Sequence, residues 1–167
     1  VAYIGSFSNS MSPSLRLGFA ALPDPLVEPA IGWRRLFSVQ PSSLGQRTLQ
    51  RFIEDGHLDR HLRRVRRIYR ARHEIVRRFV ADAVEVGVLL PGPENHAGLH
   101  LSTILPPGVD DESILDAARR RGIVLSSFGE CCVLPDRPNG MLIGFGMADA
   151  AVLDRALPEL RKLLAQA

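Results

Sequence analysis

Hydrophobic residues recur at helical spacing from residue 57 to about residue 82. At 100° per residue, one broad face of this segment is apolar and the opposite face is rich in arginine, which predicts a long amphipathic helix. Arg72 falls within the apolar stripe, where burial of an unpaired guanidinium would be costly, so we expect it to have a carboxylate or carbonyl partner. The apolar face comprises Leu58, Leu62, Val65, Ile68, Tyr69, Val76, Phe79 and Val80.

Shorter signals precede this helix. Residues 1–4 and 17–22 are β-branched, aromatic or apolar runs next to turn residues, which predicts two strands. Residues 26–37 predict a short helix, because Gly32 weakens a longer one. A second helix is predicted to begin at about residue 41 and to stop at Gly56.

Strands and helices alternate after the long helix. The pattern predicts strands at 84–86, 98–104, 123–125 and 141–145. Asp110 is a predicted N-cap for a helix that ends before Gly122, and Asp149 for a final helix that runs to Leu164. This order is typical of a compact α+β layer.

Composition narrows the classes of protein. The chain has 167 residues, of which 46% are hydrophobic and 23% charged, as in a globular domain with a sizeable core. No apolar run approaches the roughly 18 residues of a membrane helix. Cys131 and Cys132 are adjacent, which argues against a disulfide scaffold or a metal site and favours a reducing compartment such as the cytoplasm.

The positive charge is concentrated in one segment. Residues 57–78 hold nine arginines against Asp59 and Glu74, which gives +7 in a chain whose net charge is +3. Such clustering supplies phosphate affinity, so a basic module that binds nucleic acid through residues 60–78 is one hypothesis. The aromatic Tyr69 lies on the apolar side, however, so no stacking platform accompanies the charge, and a solvated helix face is the favoured interpretation.

Residues 5–19, with the sequence GSFSNSMSPSLRLGF, carry a family resemblance. They resemble the cofactor-lysine segment of fold-type I pyridoxal-phosphate (PLP) enzymes of the class I/II aminotransferase kind, in the form found in MocR-type regulators of the GntR superfamily. The resemblance continues in order through 49–56, 61–69, 97–100 and 142–145.

This resemblance implies an α/β fold with an α+β small domain. Residues 1–25 would end the large cofactor-binding domain, 26–82 would form connecting helices, and 83–167 would form the small domain. Val1 opens directly on a strand with no initiator Met, so we expect a C-terminal piece of a longer polypeptide. The family further implies a homodimer, a small amine or amino-acid effector, and DNA binding through an N-terminal domain that this sequence lacks.

One position departs from the family pattern. Asn9 stands where the resemblance places the lysine that forms the Schiff base with PLP, and an amide nitrogen is not a useful nucleophile. The chain's one lysine, Lys162, is too distant in sequence to replace it. We therefore expect no catalytic residue and no covalent link to PLP.

Other cofactor-binding positions are retained. The resemblance assigns Ser6, Ser8, Asn9 and Arg16 to the cofactor site, with Arg16 as the partner of the phosphate. The arginine that clamps a substrate carboxylate in many aminotransferases would fall near Leu142, where no cation is present.

These features together predict a non-catalytic, aminotransferase-like effector-sensing and dimerisation segment of a MocR-type regulator. The alternative is the C-terminal part of a PLP-dependent aminotransferase, in which Asn9 is a natural loss or an engineered change. His100 has no metal-type neighbour at useful spacing, so we expect it to be packed or hydrogen-bonded.

Overall fold

The computed structural model describes residues 1–37, 42–93, 98–132 and 138–167. The chain divides into two compact units, Val1–Arg66 and Arg67–Ala167, and the boundary falls inside one continuous helix. We refer to them as the first and second units. No helix in the described part of the chain is long and apolar enough to cross a membrane.

The first unit contains a hairpin and two helices. Strands β1 (Tyr3–Ser6) and β2 (Gly18–Ala21) pair antiparallel, close to the predicted positions. Helix α1 spans Asp24–Phe37 and begins two residues earlier than predicted, because Pro25 is compatible with the first turn of a helix. Helix α2 spans Ser43–Glu54 and begins where the Ser42 hydroxyl accepts a hydrogen bond from the Gly45 amide. The predicted start at Pro41 lies outside the described residues.

The long amphipathic helix is confirmed as α3, which spans His57–Glu85. The predicted strand at 84–86 is wrong, because these residues belong to the end of this helix and the turn that follows. The amides of Val88 and Leu89 both donate to the Ala83 carbonyl, and Gly87 has a φ of +76°, so the chain turns before any strand pairing begins. Strand β3 follows at Leu90–Pro91.

A four-stranded antiparallel sheet forms one layer of the second unit, in the order β3-β4-β6-β5. Strand β4 spans His100–Ile104, β5 spans Ser126–Ser127 and β6 spans Gly140–Gly144. The predicted strand at 123–125 is wrong by position. The Ile123 amide still donates to the Ala118 carbonyl of the preceding helix, so pairing starts only where Ser126 lies opposite Leu142.

Two capped helices complete the second unit. The Asp110 carboxylate accepts from the Ser113 amide at 2.9 Å at the start of α4 (Asp111–Arg120), and Asp149 accepts from Val152 at 2.8 Å at the start of α5 (Ala150–Leu164). Both caps were predicted. The core is formed by α3, the sheet and these helices, and its largest fully buried side chains include Leu89, Met141 and Leu160.

Candidate functional site

Two serine hydroxyls meet at the end of β1. The Ser8 amide donates to the Ser6 hydroxyl at 3.1 Å, and the Ser6 hydroxyl donates to that of Ser8 at 3.0 Å. The turn continues because the Met11 amide donates to the Phe7 carbonyl. Asn9 therefore lies in a tight turn, with its side chain exposed to solvent directly after the paired hydroxyls.

Arg16 closes the same loop in an unusual backbone conformation. Its φ is +49°, and it is the one non-glycine residue with positive φ in the part of the chain that the structure describes. This conformation costs about 1–2 kcal/mol and persists only where surrounding contacts impose it. The Phe7 amide donates to the Leu17 carbonyl at 3.1 Å, so hairpin pairing imposes the turn and carries Arg16 into the loop that bears Asn9.

The guanidinium of Arg16 is free to bind an anion. Its side chain is exposed, and it has no ion pair or hydrogen-bonded partner among the described residues. Arg16 also lines an open pocket of about 790 Å³, and the other residues that line it are mainly apolar residues of the hairpin, α1 and α2. Ser6, Ser8 and Asn9 do not line this cavity, and no hydrogen bond joins Arg16 to either hydroxyl in the described ranges.

These groups match the phosphate of PLP but not its aldehyde. Hydroxyl and guanidinium donors match a phosphate, which accepts charge-assisted hydrogen bonds. The carbonyl carbon of PLP needs an amine for covalent attachment, and the exposed amide of Asn9 supplies none. The loop therefore carries hydroxyl and guanidinium groups of the kind that bind an anion, and residue 9 supplies no amine for covalent chemistry.

His61 is a contact of this loop that the sequence interpretation missed. Its Nε2 donates to the Ser10 carbonyl at 2.8 Å across 51 positions of sequence. The Phe52 ring lies edge-on to the imidazole, with 6.4 Å between ring centroids. The residue after Asn9 is thereby hydrogen-bonded to α3. No local signal predicts this bond, because its acceptor is a backbone atom.

Arg72 has the carbonyl partner that the sequence predicts. Its Nη1 donates to the Gly146 carbonyl at 2.8 Å, and its guanidinium lies 5.9 Å from the centre of the Tyr69 ring. Leu142, near which the resemblance places the carboxylate-binding arginine, is half-buried in β6 between Ser102 of β4 and Ser126 of β5. Strand β6 thus carries no cation for a substrate carboxylate.

The remaining candidates have ordinary surroundings. His100 is half-buried in β4, opposite Gly144 of β6. Cys132 is a free, exposed thiol. No group of three or more potential metal ligands is present among the described residues.

The chain is similar to two named bacterial regulators. It is 30% identical over 168 residues to the probable rhizopine catabolism regulatory protein MocR of Rhizobium meliloti, which covers 96% of this chain and 32% of that protein. It is 31% identical over 125 residues to the HTH-type transcriptional regulator TauR of Rhodobacter capsulatus, which covers 75% of this chain and 25% of the regulator. The chain thus spans about a third or less of the curated relatives it matches.

The fold matches solved aminotransferases. The α-aminoadipate aminotransferase LysN of Thermus thermophilus, solved with N-(5'-phosphopyridoxyl)-L-leucine, superposes with a TM-score of 0.87 at 20% identity. The match covers 99% of this chain and 42% of LysN, so this chain has part of that fold. No family model matches the sequence.

Proposed function

Because this chain belongs to the aminotransferase-like part of MocR-type transcriptional regulators of the GntR superfamily, we propose that it senses an effector without catalysing a reaction. In this proposal the segment also contributes to dimerisation of the regulator, and its PLP site is degenerate. In this proposal the regulator recognises its DNA sequence through a helix-turn-helix domain outside this sequence.

The observation that carries the proposal is the loop after β1. It has paired hydroxyls at Ser6 and Ser8 and a guanidinium at Arg16 that has no partner among the described residues, yet residue 9 is an amide. A phosphate-bearing ligand can be held by such groups without a covalent bond. PLP, when bound covalently in relatives of this fold, supplies an electron sink, and that chemistry needs the amine that Asn9 lacks.

We expect a ligand bound at this loop to affect helix α3 through His61. The Ser10 carbonyl accepts the His61 hydrogen bond, and His61 lies in the first turns of α3. A ligand that reorders residues 7–12 therefore changes the environment of a 29-residue helix whose later part belongs to the second unit. Ligand binding is in this way linked to the conformation of the regulator.

The alternative, the C-terminal part of a PLP-dependent aminotransferase, has less support. Transamination needs the lysine that Asn9 replaces, and a carboxylate clamp on β6 is lacking at Leu142.

The effector we propose is a small amine or amino acid that acts together with PLP. The adjacent cysteines are consistent with a regulator in the reducing cytoplasm.

Reduction with borohydride tests for the absence of a covalent link. The 167-residue chain has two amines, the α-amino group of Val1 and Lys162, so peptide mapping after incubation with PLP separates adventitious labelling from labelling at the loop. We expect no reduced adduct at residue 9. An adduct there would contradict the proposal, whereas Asn9→Lys provides the positive control for detection.

Affinity for PLP tests the retained anion site. We expect Arg16→Gln to weaken non-covalent binding of PLP and of inorganic phosphate by about tenfold or more, as measured by titration calorimetry. Arg35→Gln is the matched control, because Arg35 is also an exposed arginine of the first unit without a described ion pair. Equal affinities for the two variants would count against phosphate binding at this loop.

A further inference from the structure

Six arginines of α3 have no ion pair with any residue that the structure describes. All six side chains are exposed, and none has an ion-pair or hydrogen-bonded partner anywhere in the described chain. The helix offers them little acidic compensation, since Asp59 is the one carboxylate between residues 57 and 73. We call them the arginine face: Arg60, Arg63, Arg64, Arg66, Arg67 and Arg70.

Two arginines nearer the end of the same helix, Arg77 and Arg78, have a carboxylate partner. Arg77 donates to both carboxylate oxygens of Glu74 at 2.9 and 3.0 Å, and Arg78 lies 3.8 Å from the same carboxylate. These charges are satisfied within the helix. The arginine face has no equivalent of Glu74, so six like charges repel one another until an anion joins them.

Helix geometry places these charges in a compact array. With 3.6 residues per turn and a rise of 1.5 Å, residues 60 to 70 span about 15 Å and their side chains occupy an arc of about 160°. Phosphates follow one another at about 3.4 Å per strand along duplex DNA, so this length faces about four phosphates of one strand. Guanidinium groups also bind phosphate oxygens in a bidentate manner.

Other polyanions fit this face less well. A helix that binds a lipid surface inserts its apolar side, but on α3 that side is half-buried at Leu62 and Val65 and fully buried at Val76. Single-stranded nucleic acid requires exposed aromatic rings for stacking, and Tyr69 is half-buried and close to Arg72. A charged surface without a stacking platform is suited to the phosphate backbone of a duplex.

We propose that the arginine face binds the phosphate backbone of double-stranded DNA without reading its sequence. The proposal rests on the proposed function in one respect: a DNA-binding regulator brings this helix close to a duplex. Contacts of this kind fix the position of a protein on DNA and leave base recognition to another element.

The test measures binding of the 167-residue chain to a fluorescent duplex of arbitrary sequence by anisotropy. With about four phosphate contacts, affinity should fall about 100-fold between about 50 and 200 mM salt. Changing Arg60, Arg63, Arg64 and Arg67 to Gln should reduce that loss to less than about tenfold and weaken binding at low salt. The matched control changes Arg47, Arg120, Arg155 and Arg161 to Gln, which are also exposed and unpaired among the described residues, and it should retain the original salt dependence.

Each other outcome overturns the inference. Equal losses in the two variants would mean that overall charge, not this face, attracts DNA. Equal or tighter binding to a single strand of the same length, or to phosphatidylcholine vesicles containing phosphatidylserine, would exclude a surface suited to duplexes. Absence of binding at low salt would do the same. The phosphate-site experiment with Arg16→Gln has a separate readout, so either proposal can fail while the other stands.

Discussion

The two units of the chain differ in how they treat their apolar side chains. Among the described residues, the second unit buries sixteen hydrophobic residues in one cluster, whereas the first buries two, Leu17 and Leu49. In the first unit Trp33 and Phe37 stack on each other at 5.2 Å but remain 64% and 75% exposed. Secondary structure is therefore present in both units, but a hydrophobic core is present in only one of them.

This difference separates local from non-local stabilisation. The first unit has a two-stranded hairpin and a helix capped by Ser42, which are features that short segments specify by themselves. An isolated two-stranded hairpin is marginal in water. The second unit adds burial of apolar surface, the dominant favourable contribution to folding. We expect the second unit to determine the free energy of unfolding of this 167-residue chain, which has only part of the fold that it matches.

Core truncation should give the largest contrast between the units. Leu160 is 1% exposed in α5 and Leu44 is 74% exposed in α2. Leu160→Ala should lower the free energy of unfolding by about 2–5 kcal/mol, while Leu44→Ala should change it by no more than about 0.5 kcal/mol. Urea denaturation followed by circular dichroism measures both. Similar costs would show that the first unit has a core of its own.

Removal of the Arg72 hydrogen bond should have a smaller effect within the second unit. Arg72→Met keeps much of the side-chain volume but leaves the Gly146 carbonyl without its charged donor. We expect a loss of about 1.5–3 kcal/mol in the free energy of unfolding. Arg70→Met is the control on the exposed face of the same helix, with an expected change within about 0.5 kcal/mol. If the two variants lose the same stability, the bond to Gly146 is not significant.

Periodicity and capping residues were sufficient to predict most helices. The 3.6-residue pattern of α3, the caps Asp110 and Asp149, and the stop at Gly122 are local signals, and the structure has all of them. The wrong strand at 84–86 overlaps the end of α3, and the wrong strand at 123–125 follows α4. In each case backbone hydrogen bonds to the end of the helix form before the chain can pair with another strand. A run of three apolar residues does not indicate that such hydrogen bonds are present.

Contacts across long sequence separations could be predicted only in part. The burial of Arg72 within an apolar stripe predicts that a partner exists, but not that the partner is Gly146. The bond from His61 to Ser10 could not be predicted, because any backbone carbonyl accepts a hydrogen bond and the sequence does not identify which one is near. The left-handed conformation of Arg16 likewise depends on hairpin pairing and not on its own propensity.

His61 offers a way to test how the first unit is held without a core. His61→Leu removes the donor to the Ser10 carbonyl, so we expect the loop of residues 7–12 to open more readily, by about 0.5–1.5 kcal/mol. Amide hydrogen exchange at Met11, whose amide donates to the Phe7 carbonyl, should report this change. His61→Gln, which retains a side-chain N–H, should recover part of the protection. Unchanged exchange in His61→Leu would mean that the hairpin alone orders the loop.

The smallest expected effect concerns Glu74 and the pH dependence of stability. The hydrogen bond from Arg77 holds the pKa of the Glu74 carboxyl below its ordinary value. A carboxyl whose pKa is lower in the folded state stabilises the protein fully above its unfolded pKa, and this contribution is lost as the pH falls through the lowered folded value.

Glu74→Gln should therefore destabilise α3 slightly at neutral pH, and the difference from the unchanged chain should vanish in acid. Thermal denaturation at a series of pH values measures it, with Glu85→Gln as the control because Glu85 is exposed on the same helix and has no ion pair among the described residues. The effect should be small because both partners are exposed, with side-chain exposures of 57% for Arg77 and 43% for Glu74. If Glu74→Gln behaves like Glu85→Gln at every pH, the pair contributes no measurable stability. The paired and unpaired arginines of α3 would then differ in their contacts but not in their contribution to stability.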